Sequence, residues 1–126
     1  MNCHYKIDPK NQVIIETFSE DFTLQGYIAH KNKLHNDPEF SPNYHIIADL
    51  RKTSINKMHT DAIENMISFL ANNKDKISNR KSAIVTSTPK QVVNSFIFSK
   101  YARELSIKIK IFSTFEAALD WINEPQ

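Results

Sequence analysis

Short aliphatic runs alternate with segments of helical apolar spacing from residue 13 to residue 122. The runs lie at residues 13–18, 44–50, 82–87 and 107–111, and another extended run at residues 4–7 precedes them. Apolar residues that recur every three to four positions predict the intervening helices. The predicted order is β-β-α-β-α-β-α-β-α. Because strands separated by helices favour parallel pairing, this order predicts an α/β fold with a mainly parallel sheet flanked by helices.

The two ends of the predicted sheet have different sequence signals. Residues 8–11 (Asp-Pro-Lys-Asn) are typical of a tight turn and predict an N-terminal hairpin between the first two strands. Near the C-terminus, isoleucines at 107, 109 and 111 alternate with Lys108 and Lys110. This period of two, with lysines on one side, predicts a half-exposed strand at a sheet edge.

Capping signals precede the predicted helices. Ser19 and Asp21 offer caps for a first helix that extends to about residue 34 and contains Gly26, the chain's only glycine. A glycine inside a helix costs about 1 kcal/mol relative to alanine, so we expect close packing there. The second helix is predicted to run from Thr60 to about residue 73. Residues 88–91 (Thr-Pro-Lys-Gln) predict a capping box with proline in the first turn of the third helix, and residues 113–116 precede the last.

The apolar positions of these elements predict the core. The third helix should bury Val92, Val93, Phe96, Ile97, Tyr101 and Leu105. Across the chain, the residues expected to be buried are Ile46, Ile84, Val85, Phe96 and Trp121.

The chain's 126 residues fit one domain, spanning residues 1–126. A domain of this size can bury a hydrophobic core without disulfides or metal ions. Its one cysteine, Cys3, cannot form an intramolecular disulfide. No apolar run approaches the roughly 20 residues of a membrane span, and the first residues do not read as a secretory signal. We therefore expect a cytoplasmic protein without a membrane span.

The net charge of +2 is unevenly distributed. Residues 71–110 contain nine basic side chains and two acidic ones, whereas residues 1–70 have a net charge of −2. A basic middle can attract nucleic acid or an acidic partner. These lysines are scattered, however, without an Arg-rich run or interleaved aromatics, which favours a solvated surface and makes nucleic acid an unlikely partner.

Motifs for catalysis are absent from the sequence. No Gly-x-Ser-x-Gly elbow is present, and a single glycine excludes a glycine-rich phosphate loop. The five histidines lack the close spacing of a metal site. Glu16, Glu20 and Asp21 form an acidic cluster that a helix N-terminus explains. We expect a protein that is not an enzyme, with no catalytic residue, cofactor or metal ligand to nominate.

Ligands of open α/β sheets bind beyond the carboxyl ends of the strands. Polar residues at those ends are therefore candidates for a binding site. Those ends contribute Asp49, Arg51, Ser87, Thr88 and Ser113. They define a candidate crevice for a small anionic or apolar ligand. The alternative is purely structural: the hydroxyl groups cap helices, and Asp49 pairs with Arg51.

The element order and two stretches of sequence resemble the STAS-like fold of anti-sigma-factor antagonists, also called SpoIIAA-like. The stretches are Ile-Ile-Ala-Asp-Leu at residues 46–50 and the C-terminal part from Ala-Ile-Val-Thr-Ser-Thr-Pro at 83–89 to residues 111–122. The latter is similar to uncharacterised stand-alone bacterial members. Regulatory antagonists carry a phosphorylated serine in an Asp-Ser-Ser-Gly stretch, but the comparable residues 57–60 here are Lys-Met-His-Thr. Thr60 is accordingly expected to be a helix cap and not a phosphate acceptor.

Two functional hypotheses remain. The first is a non-enzymatic regulatory or protein-interaction module of STAS-like type whose protein partner is unknown. Phe69 and Phe98 lie about 100° from the main apolar faces of their helices, and they could form an exposed homodimer patch or the edges of a wide core stripe. The second hypothesis is a binder of a small ligand at the strand-end crevice.

Overall fold

A computed structural model describes residues 1–77 and 80–125. One sheet contains five strands in the order β1-β2-β3-β4-β5. The strands are β1 (Asn2–Asp8), β2 (Val13–Asp21), β3 (His45–Ser54), β4 (Arg80–Val85) and β5 (Ile107–Phe112). The helices are α1 (Leu24–His35), α2 (Thr60–Ala71), α3 (Pro89–Tyr101) and α4 (Phe115–Asn123), and 3-10 turns occupy Lys74–Lys76 and Ala102–Glu104.

Pairing within the sheet confirms the predicted α/β architecture. The hairpin of β1 and β2 is antiparallel, and every pairing from β2 to β5 is parallel. The predicted turn at residues 8–11 is held by Asp8, whose carboxylate accepts hydrogen bonds from the backbone and side-chain amides of Asn11 at 3.2 and 2.7 Å. The lysine-flanked strand β5 lies at the sheet edge, as expected.

The helices divide unequally between the two faces of the sheet. Ala118 and Ile122 of α4 pack on Val13, Ile47 and Val85 on one face. The other face is covered by α1, α2 and α3. The core on this face contains Phe18 of β2, Tyr27 of α1 and Met66 of α2. Phe98 of α3 packs against them. This three-helix face contains the cavity described below.

Several element boundaries differ from the prediction. Strand β3 continues to Ser54, beyond the predicted run at residues 44–50, because β2 also continues and pairs Asp21 with Ser54. The cap of α1 is therefore Thr23, whose hydroxyl accepts from the Gly26 amide at 3.1 Å, and not Ser19 or Asp21. His59 occupies the cap position of α2, so Thr60 is the first helical residue and not the cap.

Gly26 allows the close approach that its position in a helix led us to expect. A Cβ atom added there would lie 3.0 Å from Thr23 Oγ1 and 3.1 Å from Met1 Cβ. The neighbour is thus the first residue of the chain and the helix's own cap, not another helix.

Helix α3 turns towards the solvent the apolar face that the sequence predicts to be buried. Its capping box of Thr88 and Gln91 is confirmed. However, Phe96 is 68% exposed and Val93 is 56% exposed, so the predicted burial of Phe96 is wrong. Val92 and Tyr101 are exposed as well, and the fully buried positions of the helix are Gln91 and Ser95.

The other residues expected in the core follow the prediction more closely. Ile46, Ile84 and Val85 are buried, as expected. Trp121 is only partly buried and lies against Phe112, with ring centroids 5.7 Å apart. The predicted burial of Trp121 in the core is therefore wrong.

Candidate functional site

A cavity of about 100 Å³ lies between the sheet and the layer of α1, α2 and α3. Small side chains on the sheet make room for it. Ala48 of β3 and Ser82 of β4 occupy the centre of this face, where their neighbours in register are the larger Ile84 and Ile46. From the opposite side, α3 contributes the short polar residue Ser95. Protein interiors are normally close-packed, so a void of this size is unusual.

Most of the wall is apolar. Aromatic, aliphatic and methionine side chains enclose the cavity, among them Phe18, Tyr27, Met66, Leu70, Phe98 and Ile109. A concave, mainly apolar space with a few convergent polar groups is typical of small-ligand sites.

Glu16 and Lys31 line the cavity and form a buried ionic cluster together with His30, which lies behind them. The Lys31 ammonium donates to both oxygens of the Glu16 carboxylate at 3.1 and 2.9 Å, and His30 Nε2 lies 2.6 Å from Oε2. All three side chains are at least 94% buried. The cluster exists because Glu16 follows the inward alternation of β2 between Ile14 and Phe18, while α1 places His30 and Lys31 above it. Buried charges require such partners.

The environment of Glu16 keeps its carboxylate ionised. Burial opposes its ionisation, but the Lys31 charge and the hydrogen bond from His30 outweigh that effect and lower the pKa of Glu16 to about 2. The negative charge in turn requires His30 Nε2 to carry a hydrogen and donate. Burial lowers the pKa of Lys31, and the Glu16 charge acts in the opposite direction.

Arg80 is the second cation of the cavity wall. It begins β4 and is 98% buried, yet its Nε and Nη1 atoms have no hydrogen-bond partner among residues 1–77 and 80–125. Asn94 and Ser95 of α3 also line this cavity. Asn94 Nδ2 and Ser95 Oγ are buried and have no hydrogen-bond partner among the described residues. Buried polar groups are nearly always hydrogen-bonded, so these four atoms are available to bind a molecule in the cavity.

Gln91 explains why α3 turns its polar side inward. Its amide nitrogen donates to the carbonyls of Leu50 and Thr53 at 2.7 and 2.9 Å. Its amide oxygen accepts from the Ser87 backbone at 2.7 Å and from that of Thr88 at 3.3 Å. These bonds fix the start of α3 to the end of β3, and residues four and seven positions later, Ser95 and Phe98, share that inward face.

The predicted strand-end crevice has a different character. Arg51 donates from Nε and Nη2 to the two oxygens of Asp49 at 3.0 and 2.8 Å, which is the pairing considered as an alternative. Ser87 Oγ donates to the Arg51 carbonyl at 3.2 Å, and Thr88 Oγ1 caps α3. Ser113 is exposed next to the cap residue of α4. Three of the residues therefore do come together, but their polar groups bond to one another.

Phe69 and Phe98 do not form an exposed patch. Both are partly buried and pack against the core that contains Phe18 and Met66. The Phe69 ring also lies edge-on to Tyr27, with centroids 6.5 Å apart. This confirms the alternative of a wide core stripe: α2 and α3 each bury more than one row of side chains, and Phe69 and Phe98 lie at the margins of the buried faces.

Sequence reasoning missed the charged residues of the cavity. The sequence predicts that Glu16 belongs to an acidic cluster at a helix N-terminus and that the basic residues of 71–110 lie on a solvated surface. Glu16 and Arg80 are instead buried in the cavity wall, and Lys81 is buried as well. One signal was present: Glu16 is flanked by apolar residues at positions 14 and 18, which in a strand share its face. Arg80 precedes an aliphatic strand and gave no comparable signal.

Comparison with known proteins identifies the fold. An uncharacterised protein from Shewanella loihica, of the DUF3478 family and with a SpoIIAA-like fold, matches with a TM-score of 0.65. The match covers 95% of this chain and 93% of that chain at 13% sequence identity. No protein-family model matches the sequence, and no curated protein matches it. The SpoIIAA-like fold expected from the sequence is thus confirmed. Among the described residues, no helix has the length and apolar character needed to cross a membrane.

Proposed function

We propose that this SpoIIAA-like protein is a non-enzymatic binding protein whose site is the cavity beneath α1, α2 and α3. The observation that carries the proposal is a partly open, mainly apolar space of about 100 Å³ whose wall includes Arg80, Asn94 and Ser95, each with buried polar atoms that have no partner among the described residues. An engineered cavity of about 150 Å³ in another protein binds benzene. The space here is smaller but partly open, so it can take a ligand of a few carbon atoms, deeper in the fold than the crevice predicted from the strand ends.

The proposal predicts binding of a small apolar probe and its loss when the cavity is filled. In an NMR titration with 1-pentanol, we expect saturable shifts of amides around Ala48 and Ser95. Ala48→Leu should abolish those shifts, because the added side chain occupies the space between β3 and α3. Ala117→Leu makes the same change on the exposed side of α4 and should leave binding intact. Absence of saturable shifts in the wild type would exclude this site for such ligands.

A second candidate function, protein interaction, is supported by the outer face of α3. Val92, Val93, Phe96 and Tyr101 are between 39% and 68% exposed, and they follow one another along the helix. Exposed apolar patches often mark interaction sites, and two-fold dimers are the commonest soluble oligomers. We propose a second copy of the chain as the partner, with contact through these residues in place of Phe69 and Phe98.

Sedimentation velocity tests this candidate. The wild type should sediment as a dimer, and Phe96→Glu should yield a folded monomer because it places a charge in the apolar contact. Gln25→Glu adds the same charge at an exposed position of α1 and should remain dimeric. A wild type that is monomeric at every concentration would rule out self-association through α3.

A further inference from the structure

We infer that the ligand of this cavity is a small carboxylate with an apolar body, and that Arg80 binds its anionic group. The inference rests on the proposed function and concerns the chemical class of the ligand. It follows from the kind of unpartnered atoms in the wall, from the charge balance, and from the size of the space.

The unpartnered atoms are mostly hydrogen-bond donors. Arg80 Nε and Nη1 and the Asn94 amide nitrogen can only donate, and the Ser95 hydroxyl can donate as well. A carboxylate has two oxygens and can accept several such bonds at once. A neutral alcohol has one oxygen and no charge, so it can accept fewer and weaker bonds.

The charges of the wall also favour an anion. Glu16 is matched by Lys31 in a close ion pair, which leaves the Arg80 guanidinium as an additional positive charge in a buried space. An unpaired buried cation is costly, and a bound carboxylate would remove that cost through charge-assisted hydrogen bonds. Burial lowers the pKa of Arg80 while the Glu16 charge raises it, and guanidinium groups remain protonated in proteins.

Size limits the rest of the ligand. The space of about 100 Å³ is smaller than the engineered cavity of about 150 Å³ that holds benzene. Side chains such as Phe18, Met66 and Ile109 surround it, so the body of the ligand should be apolar. Short-chain aliphatic carboxylates meet both requirements, and long-chain fatty acids do not.

The test compares pentanoate with pentanamide, which has nearly the same shape and no charge, by calorimetry and NMR titration of the full chain. We expect wild type to bind pentanoate at least about tenfold more tightly, the difference that a charge-assisted hydrogen bond provides. Arg80→Met should bring the two affinities together while pentanamide binding persists. Lys108→Met removes an exposed positive charge from β5 and should preserve the preference.

Ser95→Ala serves as a milder variant should Arg80→Met fail to fold. It removes one donor from the cavity and should weaken pentanoate binding about two- to tenfold with little effect on pentanamide. Equal affinities for the two compounds in the wild type would overturn the carboxylate inference and leave the cavity as a site for neutral ligands. A preference that survives Arg80→Met would overturn the role of Arg80. If neither these compounds nor 1-pentanol binds, the proposed function itself fails.

Discussion

Replacing Glu16 with glutamine should lower the free energy of unfolding by about 3–5 kcal/mol near neutral pH, because removing one member of a buried ion pair leaves the other uncompensated. Lys31 Nζ lies 2.9 Å from Glu16 Oε2 and has 5% of its side chain exposed, so water cannot replace the lost charge. The deficit should shrink as the pH rises towards the ordinary pKa of lysine. The Glu16 charge opposes the lowering of the Lys31 pKa by burial, so its loss should lower that pKa further in the variant. The folded variant then releases this proton more readily than the wild type, and its stability gains more as the pH rises.

Chemical denaturation of two further variants makes this prediction specific. Lys31→Met in the Glu16→Gln background should restore part of the lost stability, because no uncompensated ammonium remains. Glu64→Gln, at an exposed position of α2, should change stability by less than about 0.5 kcal/mol. A Glu16→Gln protein as stable as the Glu64→Gln control would show that the buried cluster is not formed.

The same carboxylate gives the wild type a defined acid sensitivity. The pKa of Glu16 is lowered from 4.5 to about 2 in the folded chain, so below pH 4.5 the unfolded chain binds more protons at this site. The contribution of Glu16 is complete above that value and is lost as the pH falls towards 2. Glu16→Gln should lack this part of the acid-unfolding curve.

Gln91→Leu should cost about 2–4 kcal/mol, although leucine is the more apolar residue and the site is 98% buried. The variant removes the bonds to the carbonyls of Leu50 and Thr53 and those accepted from the Ser87 and Thr88 amides. Hydrogen exchange should accelerate most in α3, since these bonds fix its first turn. Gln25→Leu, on the exposed side of α1, provides the control. Equal denaturation midpoints for the two variants would contradict the anchoring role of Gln91.

Much of the fold could be predicted because its signals are local. Apolar periodicity located all five strands and four helices, and the capping box at residues 88–91 placed the start of α3 correctly. The lysine alternation around Ile109 identified the edge strand. Boundaries were less accurate where tertiary pairing extends an element: β2 and β3 continue to Asp21 and Ser54 because each supplies hydrogen bonds to the other.

The site could not be predicted in the same way, because its polar residues are buried through partners distant in sequence. Gln91 is satisfied by carbonyls about forty positions earlier, at Leu50 and Thr53, so apolar periodicity selected the wrong face of α3. Lys81 is buried on the other face of the sheet because its ammonium donates to the carbonyls of Trp121 and Glu124, both at 2.7 Å. A rule that places charged residues at the surface fails at such positions.

A crystal soaked with 1-bromobutane would test whether the cavity beneath α1, α2 and α3 binds a small ligand, since the anomalous signal of bromine locates the ligand without ambiguity. The account predicts a bromine peak inside the fold, between Ala48 and Ser82 of the sheet and Ser95 of α3. A peak confined to the outer face of α3, next to Phe96, or a cavity that holds only ordered water, would contradict it.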